Sequence, residues 1–186
     1  MQPAIFLDRD GVIVENRPDY ILSYSHVEYL PQAVEALITI RDLPYKIVII
    51  TNQSAVGRGL LPLEMAQQIN QRIIDHLRSK GARIDASYLC PHSPADYCDC
   101  RKPKPGMLLQ ASEELDIDLG NSFMIGDALT DIQAGLNAGV GNPALVLTGR
   151  GADQIAREQV RSMPSFPVYA DLRTAVYDLL MVTGPH

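Results

Sequence analysis

The chain has 186 residues, of which 46% are hydrophobic and 20% charged, so it is long enough and apolar enough for one domain with a sizeable core. Its formal net charge of −6 argues against a general nucleic-acid binder, which would carry a basic excess. No apolar run approaches the ~20 residues needed to cross a bilayer, and the first residues lack a basic stretch followed by an apolar one.

Short apolar runs punctuate the sequence. Ala4 to Leu7 is the first and stops at Asp8. Arg17 to Leu30, with several tyrosines and His26, is less regular and reads as a flap or small hairpin. Pro31 to Leu43 carries Val34, Leu37, Ile38 and Leu43 on one stripe and predicts a helix opened by proline. Ile47 to Ile50 is the second run and stops at Thr51-Asn52. Leu63 to Lys80 places Met65, Ile69, Ile73 and Leu77 four residues apart, with Gly81 as its stop. A helix follows over Gly106 to Leu115, then a run at Phe123 to Ile125 that stops at Gly126-Asp127. Thr130 to Ala138 predicts a helix closed by Gly139, Ala144 to Leu147 a strand, and Ala152 to Met163 and Leu172 to Met181 two last helices. Runs this short and apolar throughout suit strands buried on both faces. Alternation with helices predicts an α/β class: a Rossmann-like, doubly wound parallel sheet with helices on both faces, in a single domain spanning 1–186.

The polar residues sit where such a sheet binds ligands, outside the carboxyl ends of its strands. Asp8 and Asp10, Thr51 and Asn52, and Asp127 each follow an apolar run directly. Carboxylates brought together repel unless a cation joins them, and Mg²⁺ prefers oxygen ligands. Asp131, one helical turn beyond Asp127, can join the metal's surroundings or orient a water. With the metal in place, Asp8 can attack phosphorus to give an aspartyl-phosphate. Asp10 can protonate the leaving alkoxide and then deprotonate the hydrolytic water. The Thr51 hydroxyl, the Asn52 amide and Lys102 are the expected stabilisers of phosphoryl charge.

All three cysteines lie in one stretch, Cys90-x-His92-x₅-Cys98-x-Cys100. An odd number argues against a disulfide framework, and three thiolates with an imidazole form a tetrahedral zinc set. With all four positions filled by protein the zinc would be structural, folding a short loop that holds Arg101 and Lys102 at the pocket rim. Arg58 and Arg101 are candidates for a sugar or its second phosphate, because a guanidinium fork matches phosphate. Gln53 and Ser54 can reach substrate hydroxyls. His26, His76 and His186 read as surface or packing residues. Gly149 and Gly151 read as a turn.

Asp-x-Asp-Gly at 8–11, Thr-Asn at 51–52, Lys102 and Gly-Asp-x-x-x-Asp at 126–131 together resemble the haloacid dehalogenase-like phosphatases over nearly the whole chain. The resemblance implies Asp8 as nucleophile, Asp10 as acid and base, and Thr51 and Lys102 as phosphate stabilisers. It also implies Mg²⁺ held by Asp8, the Asp10 carbonyl and Asp127. The segments 51–59, 100–107 and 147–151 resemble a small, capless branch that acts on a sugar bisphosphate, while the histidinol-phosphate phosphatases are similar from Cys90 to Lys102. The expectation is therefore a cytoplasmic, monomeric phosphatase of a small sugar phosphate, with no nucleic-acid or membrane partner. The reading of a different class is an inactive, zinc-stabilised binding module, which would lack one of these carboxylates.

Overall fold

A computed structural model describes residues 1–182. Its strands are β1 (Ala4–Leu7), β2 (Lys46–Asn52), β3 (Ala86–Cys90), β4 (Phe123–Gly126), β5 (Asn142–Val146) and β6 (Val168–Tyr169). They form one parallel sheet in the order β3-β2-β1-β4-β5-β6. The longer helices are α1 (Pro31–Thr39), α2 (Ser54–Gly57), α3 (Leu63–Ser79), α4 (Gly106–Leu115), α5 (Leu129–Ala138), α6 (Gly151–Ile155) and α7 (Leu172–Val176).

The pleat divides the apolar strands between two cores. Ile5, Leu7, Ile47, Ile49 and Ile125 point to one face, where Leu37 of α1, Ile69, Ile73 and Leu77 of α3 and Leu172 of α7 cover them. Ala4, Phe6, Val48, Ile50 and Met124 point to the other, under Met107, Leu108 and Ala111 of α4 and Ala134 of α5. Burying each large aliphatic side chain stabilises the fold by about 1.5–3 kcal/mol. This is why the central strands read as unbroken apolar runs.

The helix predicted over 31–43 ends at Thr39, and that over 63–80 at Ser79. The expected 152–163 helix splits into α6 and a 3-10 segment at Glu158–Ser162, and the last one into α7 and a π-helical segment at Tyr177–Val182. β3 and β6 were not legible as runs: β3 is an edge strand buried fully only at Cys90, and β6 has two residues. The 17–30 segment holds a 3-10 turn at Tyr24–His26 and returns antiparallel to the chain after β1 through a Val14–Tyr29 bridge. His76 stacks on Tyr29 at 4.1 Å, a packing role; His186 lies outside the described residues.

The sheet changes winding direction between β1 and β4, which are neighbours in space but far apart in sequence. Loops leaving their ends diverge and open a crevice. Two glycines set its floor. Gly11 has φ +90, and a Cβ there would lie 2.1 Å from Oδ2 of Asp127. At Gly126 a Cβ would lie 2.3 Å from the Asp131 side chain.

Gly11→Ala should therefore lose more stability than Gly59→Ala, where φ is +71 but nothing lies within 4 Å. The expected excess is about 1–3 kcal/mol, with a drop in Tm of about 2–4 °C per kcal/mol. Equal losses in thermal denaturation would mean that Asp127 does not crowd Gly11.

Candidate active site

A cavity of about 320 Å³ opens over this crevice. Asp8, Asp10, Asn52, Gln53, Ser54, Arg101 and Lys102 line it together with Asn16, Arg17, Tyr20, Thr130, Asp131 and Arg150.

Asp8 follows β1, and its amide donates to the carbonyl of Ile125 in β4, fixing the loop to the neighbouring strand at 3.0 Å. Asp127 follows β4 and Asp131 sits in the first turn of α5, where its carboxylate accepts the Ala128 amide at 3.0 Å. Each of Asp8, Asp127 and Asp131 offers an oxygen within 4.8 Å of the others, and all three are buried. Lys102 Nζ lies between two of them, 2.7 Å from Asp8 Oδ1 and 2.7 Å from Asp131 Oδ1, and also donates to the Ile50 carbonyl at 2.8 Å. Arg150 holds the third: its amide donates to Asp127 Oδ2 at 2.8 Å and its Nη2 to Oδ1 at 3.1 Å.

These charges set the protonation. Burial, opposed by Lys102 and reinforced by Asp8 and Asp127, pushes the Asp131 carboxyl up to about 7. Burial and then Asp8 push Asp127 up as well, against the pull of Arg150. Burial works against the Lys102 ammonium, but Asp131 and Asp8 outweigh it and hold its pKa above the usual lysine value. Two carboxyls pushed up by burial and by neighbouring carboxylates suit a hard divalent cation. The Asp10 carboxylate lies outside this cluster, turned towards Arg9 and Gln53.

The other sequence candidates divide. Asn52 grips the Lys102 backbone at both ends, donating to its carbonyl and accepting its amide, each at 3.1 Å. Gln53 spans Asp10 Oδ2 and Thr51 Oγ1, each at 2.8 Å. Thr51 is wholly buried beneath it rather than on the cavity wall. Ser54 accepts from Arg101 Nη1 at 2.6 Å. Arg58 is exposed and not among the lining residues, because α2 has only four residues and Gly57 packs against Ser93 in the cysteine loop, turning the next side chain outward.

Cys90, His92, Cys98 and Cys100 come together as a second ligand cluster. Sulfur–sulfur separations of 3.0–3.6 Å exceed the ~2.05 Å of a disulfide and suit atoms gathered round one ion. Without such an ion, burial and the neighbouring Cys100 push the Cys90 thiol well up. The loop is joined to the cavity by Arg101 Nη1, which donates to the His92 carbonyl at 3.1 Å.

Sequence reasoning missed Arg150 and the flap residues Arg17 and Tyr20. The Gly149–Gly151 stretch read as a turn, yet a Cβ at Gly149 would lie 2.3 Å from Asp127 Oδ2, and Thr148 Oγ1 donates to the Gly11 carbonyl at 2.6 Å. Its place directly after a strand was the available signal.

A HAD-hydrolase-like family model matches residues 99–175. The D-glycero-beta-D-manno-heptose-1,7-bisphosphate 7-phosphatase of Photorhabdus laumondii is 39% identical over 176 residues, 89% of this chain and 93% of the relative. The enzyme of the same name from Escherichia coli K12 is 37% identical over 155 residues, 80% of this chain and 81% of the relative. The D,D-heptose 1,7-bisphosphate phosphatase of B. bronchiseptica, solved with magnesium and phosphate, is 34% identical with a TM-score of 0.89, over 97% of this chain and 99% of that one. On these likenesses the chain belongs to the haloacid dehalogenase-like hydrolases, within the family of the heptose bisphosphate phosphatases, and is a phosphatase.

Proposed function

We propose that the chain removes the 7-phosphate of D-glycero-D-manno-heptose 1,7-bisphosphate through an aspartyl-phosphate on Asp8. The observation that carries the chemistry is the Asp8 carboxylate on the cavity wall, fixed by Lys102 at 2.7 Å and followed two residues on by Asp10. Asp8 attacks phosphorus and the ester P–O bond breaks, while Asp10 gives the departing sugar alkoxide its proton. Asp10 then takes a proton from water, whose oxygen displaces Asp8 from phosphorus. Mg²⁺, held by Asp8, Asp127 and the Asp10 carbonyl, would supply positive charge for the phosphoryl oxygens. Lys102 adds a fixed cation, and Asn52 keeps its backbone in place.

The substrate assignment follows the relatives, and the rim supports it. Among the described residues Arg101 hydrogen-bonds only neutral groups, Ser54 and the His92 carbonyl, so its charge is available to a remote phosphate. Arg17 lines the same cavity, with its Nη1 3.6 Å from Glu28 and its Nε without a hydrogen-bond partner among the described residues. Cys90, His92, Cys98 and Cys100 would hold zinc, which would fix Arg101 through the loop. Zinc-bound thiolates fit a reducing cytoplasm, and we take the working form to be a monomer of one domain.

Phosphate release from heptose bisphosphate should exceed that from histidinol phosphate in kcat/KM, and Arg101→Ala should cost about 10-fold or more on the bisphosphate. A preference for histidinol phosphate would refute the substrate reading. Asp8→Asn should lower turnover by about 10³-fold or more with the fold intact by circular dichroism.

The raised carboxyls make metal binding pH-dependent. In the metal-free protein the stability contributed by the shift of Asp131 is complete below the ordinary carboxyl value of ~3.9 and is lost as the pH rises through about 7. Asp127, a proposed Mg²⁺ ligand, is pushed up as well by burial and Asp8, so Mg²⁺ binding would displace a proton there and its stabilisation would grow as the pH rises. At a saturating ~100-fold excess over Kd it reaches about 2.7 kcal/mol. The Tm gain on adding Mg²⁺ should be larger at about pH 8 than at about pH 5.5; a gain independent of pH would contradict the assignment.

Metal analysis should find about one zinc per chain. Cys98→Ser should lose most of it and weaken bisphosphate hydrolysis, chiefly through KM, as Arg101 loosens. Full zinc content in that variant would rule out the four-ligand site.

A further inference from the structure

The geometry points to Arg9 as the positioning residue of Asp10, anchored in turn by Asn70. Arg9 is an arginine with 1% exposure, the largest fully buried side chain in the described structure. An isolated buried guanidinium is strongly unfavourable, so such a residue persists only with a well-placed counter-charge. Among the described residues the carboxylate that meets it is Asp10. Nε donates to Oδ1 at 3.2 Å, and Nη2 donates to Oδ1 at 3.1 Å and to Oδ2 at 3.0 Å.

Arg9 is itself held from two directions. Its carbonyl accepts the amides of Ile13 and Val14, at 2.9 and 3.1 Å, which closes the loop after β1. Its Nη1 donates to Asn70 Oδ1 of α3 at 3.3 Å, and Asn70 donates to Ser87 Oγ on β3 at 2.9 Å. The result is a chain of contacts from the sheet edge, through a helix, to a carboxylate that is 21% exposed in the cavity. Gln53 holds the same carboxylate from the other side at 2.8 Å. A guanidinium fork fixes the plane and rotamer of a carboxylate, whereas a lone hydrogen bond leaves it free to turn. Aim matters for a group that must meet the leaving oxygen and then water within hydrogen-bond reach.

This inference rests on the reading of Asp10 as proton donor, and leaving-group dependence separates the two. A sugar alkoxide is a strong base and needs its proton as the P–O bond breaks. A nitrophenolate leaves without one. Because kcat/KM reports the steps up to that cleavage, a misaimed donor slows a sugar phosphate and spares an aryl phosphate. A merely structural defect slows both alike.

Arg9→Met should lower kcat/KM by roughly 100-fold on the sugar phosphate and by less than about 5-fold on p-nitrophenyl phosphate. Arg9→Lys, which keeps the charge without the fork, should fall between. Asn70→Ala leaves the buried ion pair in place and should show the same selectivity more weakly, so the test survives if Arg9→Met fails to fold. Asp10→Asn is the control. If it shows no leaving-group selectivity, the proton-donor reading fails. If it does and the Arg9 and Asn70 variants lose both substrates in parallel, or gain on the sugar phosphate, the positioning role is overturned.

Discussion

Three carboxylates share one buried wall, and the arrangement around them is an answer to their mutual repulsion. Asp8, Asp127 and Asp131 come from two neighbouring strands and the helix after one of them. Lys102 separates Asp8 from Asp131, and Arg150 clasps Asp127. Two cations still leave burial uncompensated, which is why the carboxyls of Asp127 and Asp131 titrate high. The site is thus built for one more positive charge, and the solved relative holds magnesium together with phosphate. The same electrostatic demand that gathers a metal also prepares the wall for an anionic, phosphoryl-bearing substrate.

Holding Lys102 in that gap takes structure from far along the chain. Asn52 grips its backbone, Arg101 beside it ties Ser54 to the His92 carbonyl, and His92 belongs to the four-ligand cluster. The cysteine loop therefore works as scaffolding: it carries one cation into the wall and another to the rim. Asp10 gets comparable support from the interior side through Arg9. Asp8 and Asp10, the proposed nucleophile and acid–base group, are two residues apart, yet separate parts of the fold restrain them.

Much of this was legible before any coordinates, for physical reasons. Strands buried on both faces must be apolar throughout, so β1, β2, β4 and β5 stood out, and the polar residues ending three of them marked the crevice. β3 escaped because an edge strand has no need of that pattern, although it delivers Cys90 and Ser87. Metal-ligating residue types announced the cysteine loop. Arg150 was hidden because its role depends on β5 lying beside β4. The flap residues were hidden because their approach depends on an antiparallel return that leaves no periodic trace. Arg58, close to Ser54 in sequence, lies exposed and outside the cavity lining, which spacing alone could not show. Arg9 sits within the most recognisable motif, but neither its burial nor its fork on Asp10 can be read from spacing.

Trapping the proposed covalent step at Asp8 is the most direct test. Wild-type protein with Mg²⁺ is mixed with the bisphosphate, quenched in acid within the first turnover and digested, and the peptides are weighed. Covalent catalysis at Asp8 predicts the mass of one phosphoryl group on the peptide carrying Asp8, appearing before free phosphate and decaying as it forms. Phosphate release with no such peptide at any time, or with the group on another residue, would contradict it.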